Sequence, residues 1–179
     1  MLAVALAAAP VAAEPVNKQP SVFGVQGGRV QTAAEADNGI DASDTLGLFV
    51  RKGFSHRWAL QFDLSRTRQD DWSIISSTAS VMHAFGDSKR LVPMVRGGVG
   101  FDTSDDTGAV HAEAAAVLEL RLDGGLVLGA DLSIGARNSP GVNCAYDGYD
   151  SQVGPNTCGG ESVFRSTYRA AKLTLGMAF

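Results

Sequence analysis

Alternation between apolar residues and polar or small ones, with a period of two, runs through most of the chain. In the stretch 126–137 the even-numbered positions are all apolar, and the odd-numbered positions include Asp131 and Arg137. Successive side chains of a β-strand point to opposite faces, so the pattern predicts strands with one apolar face. The same pattern predicts eight strands, at 21–31, 46–51, 58–65, 73–85, 91–101, 110–122, 126–137 and 168–179.

The predicted connections differ in length. Those at 52–57, 86–90 and 123–125 are short, and Asp123-Gly124-Gly125 carries the Asp-Gly signal of a hairpin. Those at 32–44, 66–72, 102–108 and 138–164 are mostly longer and rich in Asp, Ser and Gly. An even number of strands with short turns at one end is typical of a transmembrane barrel. We therefore predict an all-β, eight-stranded antiparallel up-and-down transmembrane β-barrel with both termini on the short-turn, periplasmic side.

The charged side chains decide which face points inward. Charged residues make up 19% of the chain, and in most predicted strands they share the face opposite the apolar one. In a membrane barrel the apolar face meets lipid and the polar face lines the interior, whereas a soluble periplasmic sandwich, the alternative, has the reverse arrangement. The inward set would be nearly balanced, so that buried charges can pair. It comprises Arg51, Asp63, Arg96, Glu113, Glu119, Arg121, Asp131, Arg137 and Lys172.

The first thirteen residues carry no charge. Val11, Ala12 and Ala13 have the small side chains of a signal-peptidase site before Glu14. We predict a signal peptide at 1–13 that lacks its charged beginning, followed by a barrel at 14–179; an apolar first strand or helix is the alternative. A transmembrane helix needs ~20 apolar residues, more than this stretch offers.

Both cysteines fall in the predicted loop 138–164. An exported protein meets an oxidising compartment, so Cys144 and Cys158 are predicted to form a disulfide. A metal site would need two further soft ligands, and none is near them in the sequence. We predict neither a metal nor a cofactor.

The last predicted strand ends on an aromatic residue. It reads Tyr-Arg-Ala-Ala-Lys-Leu-Thr-Leu-Gly-Met-Ala-Phe over 168–179. With this strand and its signal-like start, the chain resembles the small eight-stranded outer-membrane barrels of the OmpA transmembrane-domain and OmpX type. The resemblance implies location in the outer membrane, contact with its lipid and lipopolysaccharide, and insertion by the barrel-assembly machinery. The residues that would form the assembly signal are Tyr168, Leu173, Leu175, Met177 and Phe179.

The resemblance also suggests one kind of chemistry, since some barrels of this type modify lipid A. The chain has His56, His83 and His111, and only His111 is predicted near the outer end of the interior, two residues before Glu113. A catalytic base needs a carboxylate close by. The His-x-Ser motif of the lipid A deacylase is absent, so we predict a protein without catalytic activity.

Acidic residues gather in two predicted outer loops. Glu35, Asp37, Asn38, Asp41 and Asp44 lie in one, and Asp102, Asp105 and Asp106 lie in the other. Oxygen ligands at close spacing suit Ca²⁺, but the spacing fits no EF-hand loop, and solvated acidic loops are the expected outcome.

Function is predicted only in general terms. A net charge of −4 offers no basic surface for nucleic acid. We expect a structural or surface-interaction barrel whose polar interior is filled by side chains and whose loop 138–164, which carries Tyr146 and Tyr149, contacts an extracellular partner. The alternatives are a narrow pore for small solutes and a lipid A-modifying enzyme.

Overall fold

The computed structural model describes residues 18–32, 42–69, 72–86, 90–104, 107–138 and 166–179. These residues form eight strands, as the alternation predicts. The predicted signal peptide, the pair Cys144 and Cys158, and the acidic residues at 35–41 and 105–106 lie outside the described residues. The strands are β1 (Val22–Thr32), β2 (Ser43–Gly53), β3 (Trp58–Gln69), β4 (Trp72–Ala84), β5 (Leu91–Ser104), β6 (Thr107–Arg121), β7 (Leu126–Asn138) and β8 (Ser166–Ala178).

Each strand pairs antiparallel with the next, and β8 pairs with β1, which closes the barrel. The predicted fold class, an eight-stranded antiparallel up-and-down transmembrane β-barrel, is confirmed. Both described ends of the chain lie at one end of the barrel, which we call the terminus end; the connections 33–42, 70–71, 105–106 and 139–165 join strands at the opposite, loop end. Within the described ranges, no helix is long and apolar enough to cross a membrane.

The strand register sets the tilt of the barrel wall. One row of cross-strand partners starts at Arg68 and runs through Asp44, Arg29, Ala171, Leu132, Ala116, Val95 and His83 to Trp58. After eight strands the row has returned to β3 ten residues lower, from position 68 to position 58. With ~3.3 Å per residue and ~4.8 Å between strands, this stagger requires strands tilted by about 40° from the barrel axis.

The burial pattern is inverted relative to a water-soluble protein. Large apolar side chains are exposed around the barrel; Leu132, for example, is 65% exposed and Leu173 is 70% exposed. Charged side chains such as Arg51 and Glu119 are buried instead. An exposed apolar face of this extent is not stable against water, whereas lipid makes it favourable.

Two connections are shorter than predicted. We expected long loops at 66–72 and 102–108, but β3 continues to Gln69 before β4 begins at Trp72, and only 105–106 separate β5 from β6. The sequence does not reveal these strand ends because their outward positions, such as Arg66 and Thr103, are polar. The alternation of apolar residues therefore stops before the backbone pairing between the strands does.

The predicted hairpin at 123–125 is present. Gly124 and Gly125 have φ angles of 88° and 85°, a backbone conformation that glycine adopts without strain. Leu122 N–H donates to the Leu126 carbonyl at 2.8 Å and closes the turn. This turn lies at the terminus end and joins β6 to β7.

Candidate functional site

The barrel interior holds ten charged side chains among the described residues, five basic and five acidic. Nine are those that the sequence pattern places on the inward face. The tenth is Asp102, which we expected in an acidic outer loop; it lies instead on β5 and is buried. Asp102 lies six residues after Arg96 on β5, and side chains an even number of positions apart on a strand point to the same face. This alternation is the sequence signal that would have placed Asp102 inside the barrel. The ten are Arg51, Arg96, Arg121, Arg137, Lys172, Asp63, Asp102, Glu113, Glu119 and Asp131.

Arg96 is the centre of a cluster halfway along the interior, which we call the middle cluster. Its side chain is fully buried and lies 2.9 Å from carboxylate oxygens of Asp63, Glu113 and Asp131. The contact from Nη1 to Asp63 is an aligned hydrogen bond, whereas the Nη2 contacts to the other two are ion pairs without that alignment. Arg96 on β5 thereby connects β3, β6 and β7 across the interior.

The middle cluster carries more acid than base. Lys172 faces Asp131 across the β7–β8 pair and is the second cation here, against three carboxylates. It forms no ion pair within 4.0 Å among the described residues. Because each buried carboxylate costs several kcal/mol unless it is compensated, Arg96 is the group on which this cluster depends.

A second cluster, the terminus-end cluster, has the opposite balance. Glu119 is buried between Arg51 and Arg121 and pairs with both; its distance to Arg121 Nε is 2.7 Å. Arg121 also donates to the side chain of Gln19. Gln61 connects this cluster to the middle one, because its Oε1 accepts from Arg51 Nε at 3.0 Å and its Nε2 donates to Asp63 at 2.9 Å.

The third cluster lies toward the loop end and contains His111. Asp102 pairs with Arg137, and its Oδ1 lies 3.0 Å from His111 Nδ1. On the other side of the ring, Thr78 Oγ1 lies 2.9 Å from His111 Nε2. Tyr168 joins this loop-end cluster to the middle one, since its hydroxyl donates to Glu113 at 3.2 Å and Arg137 stacks 5.1 Å from its ring centroid.

The order hydroxyl, imidazole, carboxylate is the order found in nucleophilic catalysis. Here the carboxylate is Asp102 and not Glu113, which pairs with Arg96 and Tyr168.

Packing around His111 leaves little room for a substrate. A Cβ placed on Gly100 would overlap the imidazole ring, so the ring lies directly on the β5 backbone. Thr78, His111 and Asp102 are all buried. Thr78 and His111 Nε2 are within hydrogen-bond distance, whereas His111 Nδ1 and Asp102 Oδ1 are close but not aligned as a hydrogen bond.

The other two histidines lie elsewhere. His56 is in the turn between β2 and β3, where its carbonyl accepts from Gln19 Nε2 at 2.7 Å. His83 is on β4 on the outer surface, with its ring centroid 4.4 Å from that of Trp58 and 4.9 Å from that of Phe85. Neither is near a carboxylate of the interior clusters.

The residues of the predicted assembly signal divide between the two faces of β8. Leu173, Leu175, Met177 and Phe179 are exposed on the outside, while Tyr168 is buried inside. The Phe179 N–H donates to the Ser21 carbonyl at 2.9 Å, next to the start of β1. The last strand thus closes the barrel up to its final residue.

The described residues contain no group of three or more His, Cys, Asp or Glu side chains placed to hold a metal ion. The acidic segment around position 37 lies outside them, except for Asp44, which is on the outer surface 3.6 Å from Arg29. Asp102 is engaged by Arg137 and His111 and is not part of an acidic loop.

No protein-family model matches the sequence, and no curated protein matches it. The fold, however, is shared with solved structures. Neisserial surface protein A superposes with a TM-score of 0.66 at 9% identity, over 90% of this chain and 99% of that one. The N-terminal β-barrel domain of Pseudomonas aeruginosa OprF gives 0.58 at 13% identity, over 90% and 99%. The chain therefore has the fold of the small eight-stranded outer-membrane β-barrels.

Proposed function

We propose that this protein is an integral outer-membrane barrel with a closed interior, which acts as a structural or surface-interaction protein through the connections at its loop end. The support is physical: large apolar side chains face outward around the barrel, and nine of the ten charged side chains of the interior form ion pairs. An eight-stranded barrel has room inside only for side chains that fill it.

The observation that carries the closed interior is the position of Arg96. One guanidinium contacts carboxylates from β3, β6 and β7, so polar side chains from four strands meet at the barrel axis. Hydrated solutes would have to displace these ion pairs in order to pass. This favours a closed barrel over a narrow pore.

Two features support an orientation with the loop end outside the cell and both termini in the periplasm. The connections 33–42 and 139–165 at the loop end are the longest, as in known outer-membrane barrels. Trp58, Phe85 and Phe179 are exposed at the terminus end, where an aromatic girdle would meet the periplasmic interface. In this orientation the segment 138–164, with its proposed disulfide between Cys144 and Cys158, faces extracellular partners.

Cell fractionation combined with gel migration tests the proposal. The protein should co-sediment with the outer membrane and should migrate differently before and after boiling. Recovery in the soluble periplasmic fraction, without a boiling-dependent shift, would contradict a membrane barrel.

The role of the last strand is tested in the same assay. Phe179→Ser should lower the yield of heat-modifiable protein, because the barrel-assembly machinery is proposed to read this residue. Phe54→Ser, which changes an exposed aromatic residue in a turn at the same end, is the matched control and should assemble normally. Equal yields for the two variants would remove the assembly role.

A second candidate function, hydrolysis or transfer of a lipid A acyl chain, is favoured by one observation, the contact of Thr78 with His111 and of His111 with Asp102. The dense packing against Gly100 weighs against it. Expression of the wild-type protein and of His111→Ala in one host separates the two. A lipid A mass change that depends on His111 would establish the enzyme, and an unchanged mass in the presence of wild-type protein would rule out lipid A as its substrate.

A further inference from the structure

Four arginines lie on the outer surface near the loop end, all on one side of the barrel. Arg66 and Arg68 lie on β3, Arg29 on β1 and Arg169 on β8, and all four are exposed. Asp44 on β2 is the one acidic residue among them, so this group, which we call the arginine half-belt, carries a net charge of +3. The described outward positions of β4 to β7 carry no Asp, Glu, Lys or Arg.

Strand register places three of these arginines at one height. With strands tilted by about 40°, each residue climbs ~2.5 Å along the barrel axis, and each step along a row of partners descends ~3 Å. Arg29, Arg66 and Arg169 then lie about 19–21 Å above Trp58 on the axis, and Arg68 lies about 25 Å above it. The positions follow from the row that connects Arg68 to Trp58.

The apolar surface is shorter on this side than on the other. On β5 the outward apolar positions run from Leu91 to Phe101, which is ~25 Å along the axis and matches the apolar band of a membrane barrel. On β3 they run only from Trp58 to Leu64, ~15 Å along the axis. The half-belt therefore lies at the depth where the opposite side presents Phe101 to the acyl chains.

Guanidinium groups at this depth require an anion. Arg66 and Arg68 form no ion pair with any residue that the structure describes. Arg29 pairs with Asp44, with 3.6 Å between Nε and Oδ1. Arginine reaches toward the membrane surface along its apolar stem and binds phosphate through two parallel hydrogen bonds. A recess of about 810 Å³ beside Arg169, whose lining includes Ala112, Ala114 and Ala136, offers space for an acyl chain next to that charge.

We infer that the arginine half-belt binds the phosphate headgroup of an anionic lipid in the leaflet at the loop end, and that it holds such lipids on one side of the barrel. The inference rests on the proposed function only in requiring that the barrel spans a bilayer. The fit is by charge: three net positive charges, on side chains that extend from this depth toward the headgroups, attract phosphate, whereas the uncharged β4–β7 side does not.

The test uses phosphatidic acid as the probe, because it is a lipid with a phosphate monoester. The protein is folded into phosphatidylcholine vesicles with and without phosphatidic acid, released into mild detergent, and examined by native mass spectrometry for bound lipid. Vesicles of phosphatidylcholine with inorganic phosphate separate a lipid headgroup from the free ion. The variant R66Q/R68Q/R169Q removes three arginines of the half-belt, and K52Q/R57Q/R90Q removes three charges at the terminus end.

Wild-type protein should retain phosphatidic acid in preference to phosphatidylcholine. In the half-belt variant the ratio of bound phosphatidic acid to bound phosphatidylcholine should be about tenfold lower. The terminus-end variant should keep the wild-type ratio. Equal retention of phosphatidic acid by the wild type and the half-belt variant would overturn the inference. It would also be overturned if the wild type bound inorganic phosphate as well as it binds phosphatidic acid. The same holds if the wild type forms a dimer that only the half-belt variant fails to form, since the half-belt would then contact a second copy of the protein. Failure of the wild type to fold into vesicles, seen as absence of heat-modifiable migration, would instead count against the proposed function.

Discussion

In the middle of the barrel the guanidinium of Arg96 pairs with three carboxylates. At the loop end, by contrast, the single carboxylate of Asp102 contacts both the Arg137 guanidinium and the His111 imidazole. The middle cluster has a single centre, Arg96, whose loss leaves Lys172 as the one cation beside three buried acids, with neutral donors only at Asp63 (Gln61) and Glu113 (Tyr168). In the loop-end cluster each member has a second partner, since Arg137 also stacks on Tyr168 and His111 also contacts Thr78. Similar charges therefore contribute differently to stability according to how many partners depend on each.

The largest effect is expected from Arg96→Met. It removes the charge but keeps much of the volume, and leaves Asp63, Glu113 and Asp131 without their shared partner. We expect the free energy of unfolding to fall by about 3–5 kcal/mol, measured by urea unfolding of the folded barrel. Arg90→Met, which removes an exposed arginine from a turn, is the control and should stay within about 0.5 kcal/mol of wild type. A loss below about 1 kcal/mol for Arg96→Met would show that the middle cluster has no single centre.

Neutralising the three acids should rescue that variant. With D63N, E113Q and D131N added to Arg96→Met, no carboxylate of the middle cluster remains unpaired, and at least about half of the lost stability should return. The same three changes in the wild-type background should be destabilising, because Arg96 would then be the uncompensated charge. If the rescue is absent, the loss in Arg96→Met comes from packing and not from charge.

An intermediate effect is expected at the loop end from Gly100→Ala. The added methyl would overlap the His111 ring, so the ring must move away from Thr78 or Asp102, at a cost of about 1–3 kcal/mol in unfolding free energy. Gly97→Ala lies on the same strand but points outward, and its methyl would have no atom within 4 Å. Equal stability of the two variants in urea unfolding would mean that the ring does not lie on Gly100.

The smallest effect is expected from Arg137→Met. Asp102 would keep His111 nearby, and the Arg137 side chain is 15% exposed, so water replaces part of the lost interaction. We expect a loss of about 1 kcal/mol, clearly less than for Arg96→Met in the same unfolding experiment. A loss as large as that of Arg96→Met would remove the distinction between the two clusters.

The alternation of residues predicts the eight strands and, for most of them, which face points inward, because a period of two is a local property of the chain. The sequence pattern misses Asp102 because the next outward position, Thr103, is polar, so the predicted strand ends at 101, three residues before β5 ends. The pairs themselves were beyond sequence reasoning. Asp63 and Arg96 lie on β3 and β5, which are not neighbours in the wall, and they meet only because the barrel is narrow and its register is fixed.

The same limit applies to the outer surface. Arg29, Arg66 and Arg169 are far apart in the sequence, and the sequence pattern gave no reason to group them. Their common height follows from the ten-residue stagger of the register, which no local pattern carries. The stagger also brings Arg169 and Gln31 together, where the guanidinium donates to Gln31 Oε1 at 2.6 Å.

Conductance in planar bilayers tests the closed interior most directly. The wild-type protein is compared with a variant in which Asp63, Arg96, Glu113, Asp131 and Lys172 are all alanine, so that every charge of the middle cluster is removed together. Insertion of both is verified by heat-modifiable migration. Wild-type protein should give no steady conductance, and the emptied variant should give steady openings. Steady wild-type openings of the same size as those of the variant would contradict a barrel closed by Arg96 and its three carboxylates.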